Sequence, residues 1–353
     1  MTRLVCLLTG ATGLLGRAVI DHLLADDRVA RIYGLARGPR PVLAGRLIPI
    51  AGDVRLPGLG LPTDLRESLA GEVTTVLHLA ANTSFSQSLI EARAINRDGT
   101  RHLLDMTSEW TGVERWIFVS TAFVAGTRTG RIAEHEVTIP PGFVNAYEQS
   151  KFEAEQLVRA SGVPWTIARP ATVVCDDASG TISQINAVHR ALRLYSSGLA
   201  AMLPSTGASS VDSVTTDHVA RAITCLALGT DVTGKTYHVC AGAGAITLDQ
   251  MLDETYKQFA REPAWARKGI SRPEQVDLAT YRLFEQIIED AGSSRVRRAV
   301  HALSHFVPQL AHPKIFDTTN TDALLGYSAP PVMSFWANMV AALVGNATAQ
   351  EVA

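Results

Sequence analysis

The run Gly10-Ala11-Thr12-Gly13-Leu14-Leu15-Gly16 constrains the fold of this chain more than any other short stretch. Directly before it, Leu4-Val5-Cys6-Leu7-Leu8 is a continuous apolar run, the pattern of a parallel strand buried on both faces. Directly after it, Leu15, Val19 and Leu23 recur at helical spacing. The glycines therefore sit at a strand-to-helix turn, the context in which such a run carries meaning. There Gly10 can make the tight turn, Gly13 lets a ligand approach the backbone, and Gly16 lets helix and strand pack closely. The helix N-terminus adds unpaired N–H groups and a partial positive charge, which suit the phosphates of a dinucleotide. A glycine turn that binds nothing is the plainer alternative. The expected fold is α/β, a Rossmann-type doubly wound parallel sheet.

Further strands follow in order. Arg31 to Arg37 reads as the second strand and its exit, and Leu47-Ile48-Pro49-Ile50 as a third, followed by Gly52-Asp53-Val54. Val73 to Leu79 makes a fourth, followed by Ala80-Ala81-Asn82, and Arg115 to Val119 a fifth. His78 belongs to the fourth strand and is expected to be buried and structural. An NAD-specific site places Asp or Glu after the second strand for the ribose 2′-hydroxyl. No acidic residue occurs between Asp27 and Asp53, whereas Arg28, Arg31, Arg37, Arg40 and Arg46 crowd that stretch. A guanidinium fork suits a 2′-phosphate. NADP(H) is therefore the expected cofactor, with Arg37 as the leading contact and Arg40 second. Ordinary solvated arginines are the alternative.

The fifth strand ends in Ser120-Thr121, and Tyr147 and Lys151 follow. Four residues apart on a helix, Tyr147 and Lys151 share a face, and Ala154, Leu157 and Val158 continue the apolar stripe. A tyrosine near its reference pKa of about 10 cycles protons poorly at neutral pH, and a nearby ammonium lowers it by favouring the phenolate. A hydroxyl at the strand end can orient a carbonyl and share its developing negative charge. Lys151 can also hold the nicotinamide ribose. Tyr147 then gives or takes a proton while hydride moves between cofactor and substrate. Side chains alternate along a strand, so only one of Ser120 and Thr121 faces that site.

These residues resemble the extended branch of the short-chain dehydrogenase/reductases, in which the glycines are spaced G-x-x-G-x-x-G. Three stretches narrow the resemblance: His78 to Phe85, Val119 to Gly126, and Asn145 to Lys151 with Glu155 following. They are similar to the thioester reductases and fatty acyl-CoA reductases, the male-sterility-like branch, over residues 1–235. The resemblance selects Thr121 with Tyr147 and Lys151 as the catalytic set. It also implies a cofactor-binding set of Gly10, Thr12, Gly13, Leu14, Leu15, Gly16, Arg37, Arg40, Asp53, Val54, Ala80, Ala81, Asn96, Tyr147, Lys151, Pro170, Thr172 and Val173, with no metal. In that set Asp53 accepts from the adenine amino group, although a strand-end Asp also caps turns. Asn96 holds the active-site backbone, and Trp165 to Pro170 is the sixth strand, ending at the nicotinamide. The implied activity is NADPH-dependent reduction of an acyl thioester on CoA or a carrier protein, through a hemithioacetal to an aldehyde, or of the aldehyde itself. A dehydrogenase or epimerase acting on a nucleotide sugar, steroid or other ketone or alcohol is the alternative enzyme. A non-catalytic NADP-binding module is the third reading, against which both Tyr147 and Lys151 are present. Residues 171–210 hold Arg190 and Arg193 but are otherwise mostly apolar or small, which favours a lipophilic substrate over a diphosphate.

At 353 residues and 46% hydrophobic, the chain can bury a large core and suggests two domains. The expected division is an NADP-binding core over residues 1–170, rejoined by 211–240, and a smaller, mostly helical substrate-binding region over 171–210 and 241–353. A net charge of −2 gives no sign of nucleic-acid binding. Four scattered cysteines, Cys6, Cys175, Cys225 and Cys240, fit a reducing cytoplasm and no structural metal. No signal peptide is expected, since the chain runs straight into the first strand, and no apolar run is long enough for a spanning helix. Within the C-terminal region, Tyr281, Phe284 and Ile288 read as core. Arg295, Arg297 and Arg298 are a candidate phosphate contact, with solvated charges as the alternative. Val332, Phe335, Trp336, Met339, Val340 and Leu343 form an amphipathic stripe expected to pack on the protein's own body. An acyl-pocket lid, a dimer contact or a membrane-surface contact is the sharper use for it, although it lacks the lysines expected of a membrane-surface helix; a homodimer or a carrier-protein contact is the expected partner of the chain.

Overall fold

A computed structural model of the chain describes residues 3–38, 45–135 and 138–351. Arg40 lies outside the described residues. Seven strands form one sheet: β1 (Leu4–Thr9), β2 (Val29–Ala36), β3 (Leu47–Ala51), β4 (Thr75–His78), β5 (Arg115–Val119), β6 (Trp165–Pro170) and β7 (Thr236–Val239). All neighbours pair in parallel, in the order β3-β2-β1-β4-β5-β6-β7. Side-chain alternation divides each strand between two cores. Cys6, Leu8, Ile117, Val119 and Ala168 point into one core, closed by Val19, Ile20 and Leu23 of helix Leu14–Leu24 and by Val219, Ile223 and Leu226 of helix Thr216–Leu228. Leu7, Trp116, Phe118 and Ile167 point into the other, closed by Leu103 and Leu104 of helix Asp98–Thr107 and by Ala154 and Val158 of helix Ala146–Ala160. Helices cover both faces, which explains why the strands read as continuous apolar runs. The sheet is the doubly wound Rossmann type expected. Helix Thr216–Leu228 packs on the sheet and β7 joins its edge beside β6.

A third apolar cluster gathers residues from 174 onward. The final helix, Met333–Glu351, buries Phe335, Trp336, Met339, Val340 and Leu343 against it, and Val332 just before the helix joins them. The Trp336 indole N–H donates to Thr255 Oγ1 at 3.0 Å. The stripe packs on its own body, and Tyr281 and Phe284 join the same cluster. The chain also returns to the first core, through a separate two-stranded sheet, at a place the sequence reading assigns to the C-terminal region. Strand Lys314–Phe316 pairs with Gly130–Ile132, Phe316 enters the first core, and helix Thr319–Leu325 packs beside it. Its apolar signal is too short to be read as a core element from sequence. No described helix is long and apolar enough to cross a membrane.

Candidate active site

Strand order reverses at β1, whose two neighbours β2 and β4 lead to opposite ends of the sheet, the place where open α/β sheets hold ligands beyond their strand ends. Thr9 pairs with His78, so the loops leaving β1 and β4 start side by side. Gly10 has φ 75°, and a Cβ there would meet the Ala80 N at 2.7 Å. A Cβ on Gly16 would meet the Gly10 carbonyl oxygen at 2.1 Å. Both glycines are thus required by backbone contacts within the protein. Gly13 differs, because its Cβ would meet only the Gly10 carbonyl oxygen, at 3.4 Å. Gly13 is exposed and forms the N-cap of helix Leu14–Leu24, which has neither a side-chain cap nor an acidic residue in its first turn. This end suits an anion. Thr12, Leu14 and Leu15 are half-buried around it, as are Ala80 and Ala81 across the crevice.

The exits of β2 and β3 hold a cavity of about 240 Å³ lined by Arg37, Gly38, Gly52, Asp53, Leu56, Leu59 and Gly60. Leu59 lies in the left-handed region at φ 58°, and its carbonyl accepts the Asp53 N–H at 2.9 Å. Local strain of this kind persists where the surroundings enforce it. Asp53 is paired with Arg55, which with its hydrogen bonds holds the carboxyl below its usual range. Val54 turns inward and its carbonyl accepts from His102 Nδ1 at 3.0 Å. The arginines behind β2 separate by role. Arg28 binds Asp26, Arg31 binds Glu72, and Arg46 donates to the carbonyls of Asp26 and Val29. Arg37 is exposed at the cavity and makes no salt bridge among the described residues.

Thr121 and Tyr147 meet beyond the end of β5, and Lys151, one turn further along the same helix, reaches back to the strand's last carbonyl. Asn145 caps helix Ala146–Ala160 by accepting the Glu148 N–H at 3.0 Å, which sets Tyr147 in the first turn. The Thr121 hydroxyl engages the Tyr147 phenol and pulls it down, but burial dominates and pushes the phenol up to about 12. Ser120 instead acts on Glu155, so strand alternation separates the two hydroxyls as expected. Lys151 Nζ donates to the Val119 carbonyl at 2.7 Å and lies 4.1 Å from the centroid of the Phe118 ring. Burial lowers its ammonium to about 7, and the charge of Glu155 opposes that shift. The charge that acts on the phenol is that of Glu148, which raises it. The phenol is thus raised and not lowered as the neighbouring Lys151 leads one to expect, because burial outweighs the other influences on it. Phe85 lies 5.7 Å from the Tyr147 ring and 6.1 Å from Phe306, so one half-buried aromatic adjoins the phenol and a second stands behind it. Pro170 closes β6 opposite Val239, and Thr172 and Val173 continue into a short strand paired with Ser213 and Val214.

Two buried networks support these groups. Asn96 accepts the Asn82 N–H at 2.8 Å and donates to the Asn82 carbonyl and to Ser150 Oγ, and Ser150 donates to the Tyr147 carbonyl. It thereby holds the loop after β4 against the tyrosine's helix. His78 is fully buried between Thr9 Oγ1 at 2.7 Å and Thr100 Oγ1 at 3.0 Å. Thr100 donates to the Asn96 carbonyl, so it accepts from His78 Nε2–H, and Nδ1 accepts from Thr9. This bonding assigns the neutral tautomer, and burial lowers the ring to about 3. Sequence reading missed Glu148, Gln309 and Lys314 near the phenol, and the buried pair of Glu155 with Arg169 at 2.7 Å. One signal was available: Glu148, Lys151 and Glu155 all fall on the buried face of one helix.

Fold and site together define an extended short-chain dehydrogenase/reductase, an NAD(P)-dependent oxidoreductase class. Residues 8–223 match the model of the male sterility protein family, and the chain belongs to that family. It is 32% identical over 218 residues to the fatty acyl-CoA reductase wat of Drosophila melanogaster, covering 47% of this chain and 42% of that protein. It is 34% identical over 169 residues to the hybrid PKS-NRPS synthetase mpsA of Macrophomina phaseolina (strain MS6), covering 44% of this chain and 4% of that protein. The chain thus spans less than half the length of these curated relatives. Among solved structures, the terminal R domain from the myxalamid PKS-NRPS biosynthetic pathway superposes with a TM-score of 0.79 at 26% identity, covering 99% of this chain and 92% of that one. A UDP-glucuronic acid 4-epimerase from Bacillus cereus in complex with NAD shares the fold, with a TM-score of 0.67 at 18% identity, covering 97% and 99%.

Proposed function

We propose that the protein is an NADPH-dependent reductase of acyl thioesters, carried on CoA or on a carrier protein, or of the aldehydes derived from them. The observation that carries this reading is the Thr121–Tyr147 contact beside a buried Lys151, at the carboxyl edge of a sheet whose glycine loop suits a dinucleotide. The residues present fit that cofactor: Gly13 leaves its approach open, and Arg37 and Asp53 line the cavity beside it. Gly10, Thr12, Gly13, Leu14, Leu15 and Gly16 would hold the pyrophosphate, Asp53 and Val54 the adenine end, and Ala80, Ala81, Pro170, Thr172 and Val173 the nicotinamide end. Arg37, with no salt bridge of its own, favours the 2′-phosphate of NADP(H). When bound, the dinucleotide supplies the two-electron reductant.

The chain's own groups do the rest. The hydroxyls of Thr121 and Tyr147 converge, so both can donate to a carbonyl oxygen and stabilise the charge that develops there. A phenol held near 12 stays protonated at neutral pH and serves as the proton donor in the reductive direction. Lys151, fixed on Val119, is placed to hold the ribose and to replenish the proton. Phe85 and Phe306 give the site an apolar wall suited to an acyl chain. We assign residues 1–170 with 211–240 to the cofactor half and 171–210 with 241–353 to the substrate region, which the separate third cluster supports. The carrier-linked context of the relatives' names supports a carrier-bound substrate, and a cytoplasmic setting fits the buried free thiols. Tyr147→Phe is the test. Turnover is expected to fall about 100-fold or more with NADPH affinity unchanged, and undiminished turnover would remove Tyr147 from the mechanism.

A further inference from the structure

Glu148 follows Tyr147 in the chain, yet its side chain is buried and faces the C-terminal region. Its carboxylate accepts the Val144 N–H at 3.0 Å, Asn145 Nδ2 at 3.2 Å and Gln309 Nε2 at 2.7 Å. Gln309 Oε1 in turn accepts from Lys314 Nζ at 2.8 Å, and Lys314 also donates to the His312 carbonyl at 2.8 Å. Because Lys314 can only donate, it fixes the Gln309 amide with its oxygen toward the ammonium and its N–H toward Glu148. Asn145 Nδ2 donates as well to the His305 carbonyl at 3.0 Å. The turn that carries Tyr147 is therefore gripped on both sides by a segment 161 residues away in sequence. That segment also carries Phe306, whose ring meets Phe85 beside the phenol.

We propose that Glu148, locked by Gln309 and Lys314, is a positioning residue for Tyr147, so that segment 305–314 of the C-terminal region sets the phenol in place beside Thr121. The lock rests on the reading of Tyr147 as proton donor. Its charge also matters. Glu148 raises the phenol, and Lys314 is the cation that favours the ionised Glu148 against its burial. The other titratable groups around the network are Lys151 on the same helix and His305 and His312 on the C-terminal segment. The sequence gives no hint of the lock, since Gln309 and Lys314 lie in a stretch without a motif.

The 353-residue chain is assayed with octanal and NADPH as Glu148→Gln, Glu148→Asp, Lys314→Met and the Glu148→Gln/Lys314→Met double variant. Glu148→Gln is expected to lower kcat about tenfold with the NADPH Kd within about twofold of wild type. The alkaline fall of kcat should shift to lower pH, because the charge that raised the phenol is gone. Glu148→Asp should recover the pH profile in part. Lys314→Met, which touches neither the phenol nor its helix, should lower kcat in the same direction, and the double variant should be no worse than Glu148→Gln alone. A Lys314→Met protein with wild-type kcat and pH profile would overturn the lock, as would additive losses accompanied by weaker NADPH binding. If Glu148→Gln does not fold, Lys314→Met decides alone. A Tyr147→Phe control that keeps its turnover defeats the reading beneath and this one with it. Unchanged lock variants beside an inactive Tyr147→Phe defeat only the lock.

Discussion

Arg28, Arg31 and Arg46 are engaged with Asp26, Glu72 and backbone carbonyls, which leaves Arg37 at the cavity between β2 and β3 with its guanidinium available. The proposed preference for NADPH therefore rests on this residue among the described arginines. Arg37→Ala is expected to weaken NADPH binding about tenfold or more, the loss of a charge-assisted phosphate contact, while NADH affinity changes little. Titration of both cofactors checks this, and equal losses for the two would remove the 2′-phosphate role. His78 makes a separate prediction. Its ring titrates near 3 when folded and near 6.5 when unfolded, so the unfolded chain takes up the proton first as the pH falls. Stability present above about 6.5 is then lost toward 3, at about 1.4 kcal/mol per pH unit. His78→Gln should lose less stability than wild type between those limits, measured as Tm against pH, with His238 supplying a parallel loss in both proteins. Parallel curves for the two proteins would contradict the assignment.

At the level of elements, the three motif glycines serve different ends, and two substitutions separate them. Gly16→Ala drives a Cβ against the Gly10 carbonyl, a backbone atom that cannot move cheaply, and is expected to cost about 1–3 kcal/mol of stability. Gly13→Ala meets no such obstacle and should cost less stability than Gly16→Ala, only the loss of a better N-cap residue, yet on the proposed cofactor site it should lose NADPH affinity. A Gly13→Ala protein with full affinity would place the phosphates elsewhere. These elements were legible in the sequence because their signals are local. Leu4–Thr9 and Leu14–Leu24 are written in adjacent residues, and Tyr147 and Lys151 share a helical turn. What was not legible depends on partners far along the chain. Glu148 sits on the edge of the apolar stripe of its helix, and nothing nearby shows that Gln309 will cover it. Glu155 likewise reads as a surface charge until Arg169 on β6 meets it in the core.

Across the whole molecule, consecutive residues after β6 join the sheet's first core to the third cluster. Ala171 and Val173 pack on the sheet, whereas Val174 and Cys175 enter the third cluster. Strand Lys314–Phe316 brings the chain back to the sheet side, with Lys314 in the Glu148 network and Phe316 in the first core. The C-terminal region is therefore anchored to helix Ala146–Ala160 through Gln309 and the His305 carbonyl. Its apolar character, with Phe85 beside the phenol and Phe306 behind Phe85, underlies the proposal of an acyl substrate in place of a nucleotide sugar. The direct test is NADPH consumption against a panel of acyl-CoAs, acyl-carrier proteins, aldehydes, ketones and UDP-sugars, with the products identified. Consumption with acyl thioesters and release of the corresponding aldehyde is the predicted result, and consumption with ketones or UDP-sugars alone would contradict it.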